Sequence, residues 1–465
     1  MTTEKPLKPA VIKELRSIVG PPHLFTEPEE LIVYSYDATR RTSLPWAVAR
    51  PSTAREVSRI LLLANRERFP VIPRGAGTGM SGGSVPSQGG VVLSFERMNR
   101  ILEIDGKDLL AVLEPGVITG DLQKEAEKIG LFYPPDPASS AFCTIGGNIA
   151  ECAGGLRAVK YGVTRDYVLG LEVVLPTGEI IRTGARTLKS VAGYDLTRLL
   201  IGSEGTLGVV TQVIVRLLPM PEAVRTLAAF FRDAAQAVAV IPRITAARII
   251  PRAVEFVDRG ALRAAEGYLR SEMSGGAGAM LLIETDGPAA SADRERDVIE
   301  TLCREAGATK IIRADSREEQ EPLWKLRRSI SPALYALKPR KLNEDIVVPV
   351  SRIPALLQEV DAIAARSGLL VVTFGHAGDG NVHVNVMHDE SDLRAAEQAV
   401  REVFEAVVRL QGSITGEHGV GLAKAAYLPL EAGPDAIAAM KRIKQALDPN
   451  NILNPGKIFL ENSQQ

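Results

Sequence analysis

The sequence predicts an α+β protein built in two parts. Its 465 residues suffice for two or three domains at about 150 residues each. Up to about residue 218 the chain reads as short apolar, strand-like runs joined by glycine-rich connections. From Pro219-Met-Pro221 onward, Ala-rich amphipathic helices alternate with strands, the pattern of a second α+β domain.

In order along the chain, Val11–Ser17 and Glu27–Ser35 read as short helical pieces parted by Pro21-Pro22. Ala47–Arg50 is strand-like. Thr53 then precedes the periodic run Val57, Ile60, Leu61, Ala64, which predicts a capped helix. Phe69–Pro73 is a short strand, and a glycine loop over Arg74–Gly83 follows it. Strand-like runs recur at Val91–Ser94, Ala111–Leu113 and Leu171–Leu175. Beyond the break, helices are expected at Ala234–Ile241, Leu262–Ser271 and Asp293–Ala306, with a strand at Met280–Glu284. Loops rich in Gly, His and charge occupy 373–385 and 411–424, and a turn-rich tail runs from Leu447 to Phe459. The expected division is 1–221, 222–410 and a C-terminal segment over 411–465.

Composition excludes several classes. Lys and Arg number 55 against 56 Asp and Glu, so the basic excess of a nucleic-acid binder is missing. Apolar runs such as Ala279–Ile283 fall far short of the ~20 residues that span a bilayer. The start, MTTEKPLKPAVIKEL, has no apolar core of a secretory signal. Cys143, Cys152 and Cys303 stand at unrelated spacings that form neither a disulfide framework nor a zinc finger. The expected location is the cytoplasm, with any membrane contact made through a partner.

The 41 glycines cluster. Pro73-Arg-Gly-Ala-Gly-Thr-Gly-Met-Ser-Gly-Gly-Ser84 holds a formal G-x-G-x-x-G at Gly77, Gly79 and Gly82. A Rossmann turn must open a helix whose N-terminus receives the pyrophosphate. Here Val85-Pro-Ser-Gln-Gly-Gly90 leads straight to a strand, so that reading fails. Successive glycines can instead turn several backbone N–H groups toward one diphosphate. A second stretch, Asp136–Gly155, carries Gly146-Gly147 and Gly154-Gly155 among small residues, and a third is Ile201–Gly208. Three such stretches in one domain suit a long ligand clamped at several points, a dinucleotide rather than a single phosphate.

Of five histidines, four lie between 376 and 418. In Phe374–Val386, Val382, Val384 and Val386 alternate with His383 and Asn385, so one strand face is apolar and the other carries an imidazole and an amide. The turn Gly378-Asp-Gly380 can fold His376 beside His383, and Gly412–Gly421 offers Glu417 and His418. Two imidazoles and a carboxylate make an N,N,O site for a divalent ion with positions left for substrate: zinc, with manganese and iron as alternatives. His388, followed by Asp-Glu-Ser-Asp, reads as a solvated loop residue, and His23 as structural.

The segments PRGAGTGMSGG, ASSAFCTIGGNIAECAGG, KYGVTRDYVLGLEVVLPTGE and LLIGSEGTLGVVT, in this order, resemble the FAD-binding domain of the vanillyl-alcohol oxidase/p-cresol methylhydroxylase superfamily. The resemblance covers nearly the whole chain. It is narrower to the branch of D-2-hydroxyacid dehydrogenases and the FAD-bearing glycolate oxidase subunit. It implies a two-part FAD-binding domain, an α+β cap domain for the substrate, and a C-terminal segment returning to the flavin. It implies FAD on Arg74, Gly75, Ala76, Gly77, Thr78 and Gly79, on Pro137, Ser139, Ser140, Gly146, Gly147, Asn148 and Gly154, and on Glu204, Gly205, Thr206 and Asn454. Lys457 resembles the family's returning segment. The glycine loop offers neither His nor Cys for covalent attachment, and Cys143 reads as a buried thiol, so noncovalent FAD is expected.

The same resemblance implies metal at His376, His383 and Glu417, a catalytic base at His418, substrate hydrogen bonding by Asn385, and Arg327 and Ser331 near the substrate. Arg327 and Ser331 read equally well as part of a solvated helix face. Where the D-2-hydroxyglutarate branch uses a Lys, this chain has Asn343, with Lys341 two residues earlier, a departure that favours glycolate or D-lactate. The expected activity is metal-assisted oxidation of a small 2-hydroxy acid, with hydride passing to flavin. Electrons are expected to leave to an iron–sulfur or other accepting partner, since the chain has no clustered cysteines of its own. Oligomeric state stays open, a homodimer among the options. The alternatives are a non-catalytic FAD-binding subunit and a flavin enzyme of other chemistry.

Overall fold

The computed structural model describes residues 7–460. The opening residues, on which part of the signal-peptide reading rests, lie outside the described residues. The chain divides into two compact units. Among the described residues, one comprises 7–153, 163–220 and 417–460; the other comprises 154–162 and 221–416. The break near Pro219-Met-Pro221 coincides with a unit boundary. Residues 154–162, which the sequence leaves inside the first domain, go with the second, and the chain returns to the first unit at Glu417.

In the first unit, Ala47–Ala49, Val91–Ser94 and Val71–Arg74 pair in parallel, with Leu24–Phe25 antiparallel at the edge. The helix Ala54–Glu67 buries Val57, Ile60, Leu61 and Ala64 against them, and the Thr53 hydroxyl accepts the Glu56 N–H, satisfying one orphan donor of the first turn. A five-stranded antiparallel sheet follows, in the order Ile101–Asp105, Leu110–Leu113, Val209–Arg216, Val168–Val174, Ile180–Gly184. The glycine loop joins Val71–Arg74 to Val91–Ser94 through turns and bends without a helix, as its sequence predicts.

The second unit is a seven-stranded antiparallel sheet. Its order is Lys310–Ala314, Ala223–Phe231, Ala279–Gly287, Ala253–Asp258, Leu370–His376, Asn381–His388, Arg340–Val347. Arg259–Leu269 and Arg317–Ala333 cover one face, packing Leu262, Leu323, Leu326 and Ile330 on Phe230, Val257, Met280, Leu282 and Phe374. Ala289–Glu305, Ile353–Ser367 and Leu393–Arg409 also pack on the strands. The expected helix Ala234–Ile241 is instead two, Ala234–Val238 and Val240–Ala246. Pro242 has no N–H for the carbonyl four residues back, so one continuous ladder cannot run through. His388 is not a solvated loop residue. It ends the strand Asn381–His388, is 4% exposed, and its Nδ1 lies 2.8 Å from the Asp389 carbonyl. The following acidic residues are outside the strand; the imidazole is inside the sheet.

Candidate active site

The glycine-rich stretches of the first unit converge. Arg74 through Gly79, Pro137, Ser139, Gly146, Gly147, Asn148, Glu204, Gly205 and Asn454 line one cavity of about 240 Å³, together with Glu417 and His418. A second cavity of about 400 Å³ shares Arg74, Gly75, Ala76, Phe95 and Thr144 with the first. Ser140, Gly154 and Thr206 do not line the first cavity. Ser140 makes a turn to Pro137, Thr206 bonds the Ser203 carbonyl, and Gly154 belongs to the other unit. The Arg74 guanidinium braces the chain: it donates to the carbonyls of Tyr36 and Val33 and to the Ser84 hydroxyl.

Close approach explains one glycine here. A Cβ on Gly75 would stand 2.2 Å from the Thr144 hydroxyl, which caps the helix Ile145–Glu151 through the Gly147 N–H. Gly75→Ala is therefore expected to displace Thr144 and weaken FAD binding roughly tenfold, the cost of about one hydrogen bond. Flavin fluorescence titration measures it.

The C-terminal tail is fastened to this cavity rather than frayed. Asp448 accepts the N–H groups of Ile452 and Leu453; Asn454 donates to the Gly83 and Glu204 carbonyls; Lys457 donates to the Gly83 and Val85 carbonyls. Burial lowers the Lys457 pKa to about 8 against the opposing pull of Asp37, Glu204 and Glu151.

In the second unit, directly paired residues of antiparallel strands share a face. The register sets Glu255 beside His376, His376 beside Asn381, Phe374 and Asp345 beside His383, and Asn343 beside Asn385. The turn Ala377–Gly380 brings the two imidazoles to 5.2 Å between ring centroids, edge to face. The second face of this strand, expected to be polar, is polar and also buried along its whole length.

Carboxylates stand behind both rings. His376 Nδ1 lies 2.5 Å from Glu255 Oε1, and His383 Nδ1 lies 3.9 Å from Asp345 Oδ1. Glu255 and Asp345 are almost wholly buried. Burial alone would push the Glu255 pKa up; the Arg327 guanidinium and His376 overrule it and hold the carboxyl at about 2. Arg327 reaches Glu255 Oε2 at 2.6 Å and lies over the Phe374 ring. A buried charge stripped of its partner costs roughly 3–5 kcal/mol, so Glu255 and Arg327 are held to one another. Asp345 accepts from Asn381 Nδ2, from the Thr415 hydroxyl and from the Gly416 N–H, which fixes the chain up to the residue before Glu417.

Asn385 is fully enclosed. Its Nδ2 donates to the Val372 and His383 carbonyls, and its Oδ1 has no hydrogen-bond partner among the described residues. Ser331 accepts from Lys341 Nζ at 2.7 Å near the exposed end of the same helix that carries Arg327. Sequence reasoning missed Glu255, Asp345 and Glu151. Nothing local marks the first two; only the sheet register reveals that they oppose histidines.

A glycine-built cavity in this α+β fold, with buried histidine–carboxylate pairs in the second sheet, is the architecture of an FAD-binding oxidoreductase. Solved structures of the same fold include p-cresol methylhydroxylase with substrate bound (18% identity, TM-score 0.82, covering 98% of this chain and 97% of that one). Another is 4-ethylphenol oxidase from Gulosibacter chungangensis (22%, 0.79, 98% of each). Residues 45–184 match the FAD binding domain family, and 220–458 match the C-terminal domain of FAD linked oxidases. The chain belongs to the FAD-linked oxidases. It is 47% identical to the glycolate oxidase subunit GlcD of Bacillus subtilis, over 98% of both chains. It is 38% identical to D-lactate dehydrogenase of Anaerostipes hadrus, over 89% of both. With D-2-hydroxyglutarate dehydrogenase of Stutzerimonas stutzeri it shares 36%, over 97% of this chain and 99% of that one. The protein is thus an FAD-linked enzyme. No helix among the described residues is long and apolar enough to cross a membrane.

Proposed function

We propose that this enzyme oxidises a small 2-hydroxy acid (glycolate, D-lactate or D-2-hydroxyglutarate) to the 2-oxo acid, using a divalent cation held by His376, His383 and Glu417. Each of the three offers one ligand atom. The observation that carries the reading is the pair of neighbouring imidazoles, with the buried Glu255 carboxylate 2.5 Å from His376 Nδ1 and the buried Asp345 carboxylate 3.9 Å, beyond hydrogen-bond distance, from His383 Nδ1. A carboxylate that takes the Nδ1–H, as Glu255 is placed to do for His376, leaves the Nε2 lone pair to bind a metal and fixes the ring, the arrangement metal-ligating histidines use. The donor set of two nitrogens and one oxygen suits zinc, manganese or iron.

The cation supplies a Lewis acid that lowers the pKa of the substrate hydroxyl. FAD, held by the glycine-built cavity, supplies the acceptor for the hydride that leaves the α-carbon. His418 removes the hydroxyl proton. Asn385 and Arg327 orient the substrate, and Ser331 with Lys341 stands farther along the same unit. The relatives named for 2-hydroxy acids support the substrate class. Asn343 in place of a Lys supports the smaller acids. We further propose a cytoplasmic enzyme with three reduced, buried thiols, whose electrons pass to an iron–sulfur or other accepting partner.

Anaerobic mixing with glycolate, D-lactate, L-lactate and D-2-hydroxyglutarate tests this. At least one acid is expected to bleach the flavin, and prior chelation should slow bleaching at least 100-fold. An enzyme indifferent to all four acids, or to chelation, defeats the corresponding half of the proposal.

A further inference from the structure

The Glu204 carboxylate has a task that cofactor binding does not describe. Its Oε1 accepts the Val420 N–H at 2.8 Å and its Oε2 the Gly421 N–H at 2.7 Å. The loop they belong to is fastened at further points. The Leu422 and Ala423 N–H groups both donate to the Ser81 carbonyl, and the Ile458 N–H donates to the Gly421 carbonyl. Glu151, beside Glu204 at Gly419, is the second carboxyl at this place. A Cβ on Gly419 (φ +81°) would fall 2.2 Å from Glu151 Oε2 and 3.0 Å from Glu204 Cδ, so only glycine lets both acids close on the loop. Glu151 Oε1 is 3.4 Å from the Ser81 hydroxyl, and its Oε2 has no hydrogen-bond partner among the described residues.

We propose that Glu204 and Glu151 are positioning residues that clamp the 419–421 loop and so hold Glu417 and His418, immediately before it, at the cavity. Glu204 acts through two charge-assisted hydrogen bonds, stronger than neutral ones. Glu151 acts by closing on Gly419 beside Glu204. Burial first, then Glu204, push the Glu151 pKa well up; burial also raises that of Glu204, against the pull of the two N–H groups, Lys457 and Lys424. Ser81, Asp37 and Lys457 are the other groups facing Glu151, and Lys457 and Ser81 pull its pKa back down. Burial and the Glu204 charge both disfavour ionising Glu151, so it loses its proton at a higher pH than an ordinary carboxyl does. Two anions would then stand side by side at Gly419, so the clamp loosens as pH rises.

The activity arm of the test rests on the proposed role of His418; the exchange arm does not. In the FAD-loaded enzyme, Glu204→Gln is expected to speed amide exchange at residues 419–423. It should lower kcat roughly 10- to 100-fold, the loss of one or two charged hydrogen bonds, while KM and the FAD dissociation constant change less than about threefold. Glu204→Asp should recover part of kcat, and Glu151→Gln, which carries a permanent N–H, should remove the alkaline fall in exchange protection. Gly419→Ala serves if Glu204→Gln does not fold, with the same loosening expected. FAD affinity falling in step with kcat, with exchange at 419–423 unchanged, would make Glu204 a cofactor ligand and overturn the clamp. An alkaline profile unmoved by Glu151→Gln would remove Glu151 from it. If the parent enzyme oxidises no hydroxy acid, that defeats the proposed function and leaves the exchange result standing.

Discussion

Enzyme carrying His383→Ala is expected to bind FAD normally, lose its divalent cation, and reduce flavin roughly 1,000-fold more slowly with the best hydroxy acid. Lewis-acid activation supplies several kcal/mol of transition-state stabilisation, and about 1.4 kcal/mol is tenfold in rate. His383 brings one of the two proposed imidazole ligands, and Asp345, already tied to Asn381, Thr415 and Gly416, cannot move in to replace it. The cofactor should stay because the residues lining the cavity all come from the other unit. The lost ring also packs on Phe374, with centroids 5.6 Å apart, so some stability goes with it. Metal content by elemental analysis, the visible flavin spectrum and anaerobic single-turnover bleaching read the three quantities separately. Retention of the cation and of the parent bleaching rate would end the metal-site reading.

His418→Asn should behave differently. Asn preserves a polar side chain of similar reach but cannot take a proton, so the loss is that of a general base, roughly 10²–10⁴-fold in kcat. Cation and FAD should both remain, because neither proposed ligand set includes His418. KM should move little, since substrate binding is assigned to other side chains. The contrast between the two variants is the sharper test: one loses metal and rate together, the other rate alone. A His418→Asn enzyme that turns over within threefold of the parent would assign the proton to another group.

Much of the first unit was legible because its chemistry is local. The absence of room for a helix between Gly83 and Val91 can be read from the chain, and the structure has turns there. Thr53 before a run at helical spacing predicts its cap, and the cap is present. Where the sequence misled, a single residue with a non-local or backbone effect was responsible: Pro242 splitting a helix, or sheet pairing drawing His388 inside. The assignment of 154–162 could not be foreseen. Lys160 and Tyr161 are tied to Asp286, 126 and 125 residues away in the chain, a pairing that no local pattern announces.

By itself the sequence determined the glycine stretches, the two histidines flanking a tight turn, and the polar alternation of Asn381–His388, because backbone freedom and strand periodicity act between near neighbours. Only the tertiary structure decided which carboxylates stand behind those histidines and which carboxylate grips the loop after His418. Buried charge must be partnered, but the partner is chosen by strand register and loop closure. Glu255 meets His376, and Glu204 meets Val420, at sequence separations of 121 and 216.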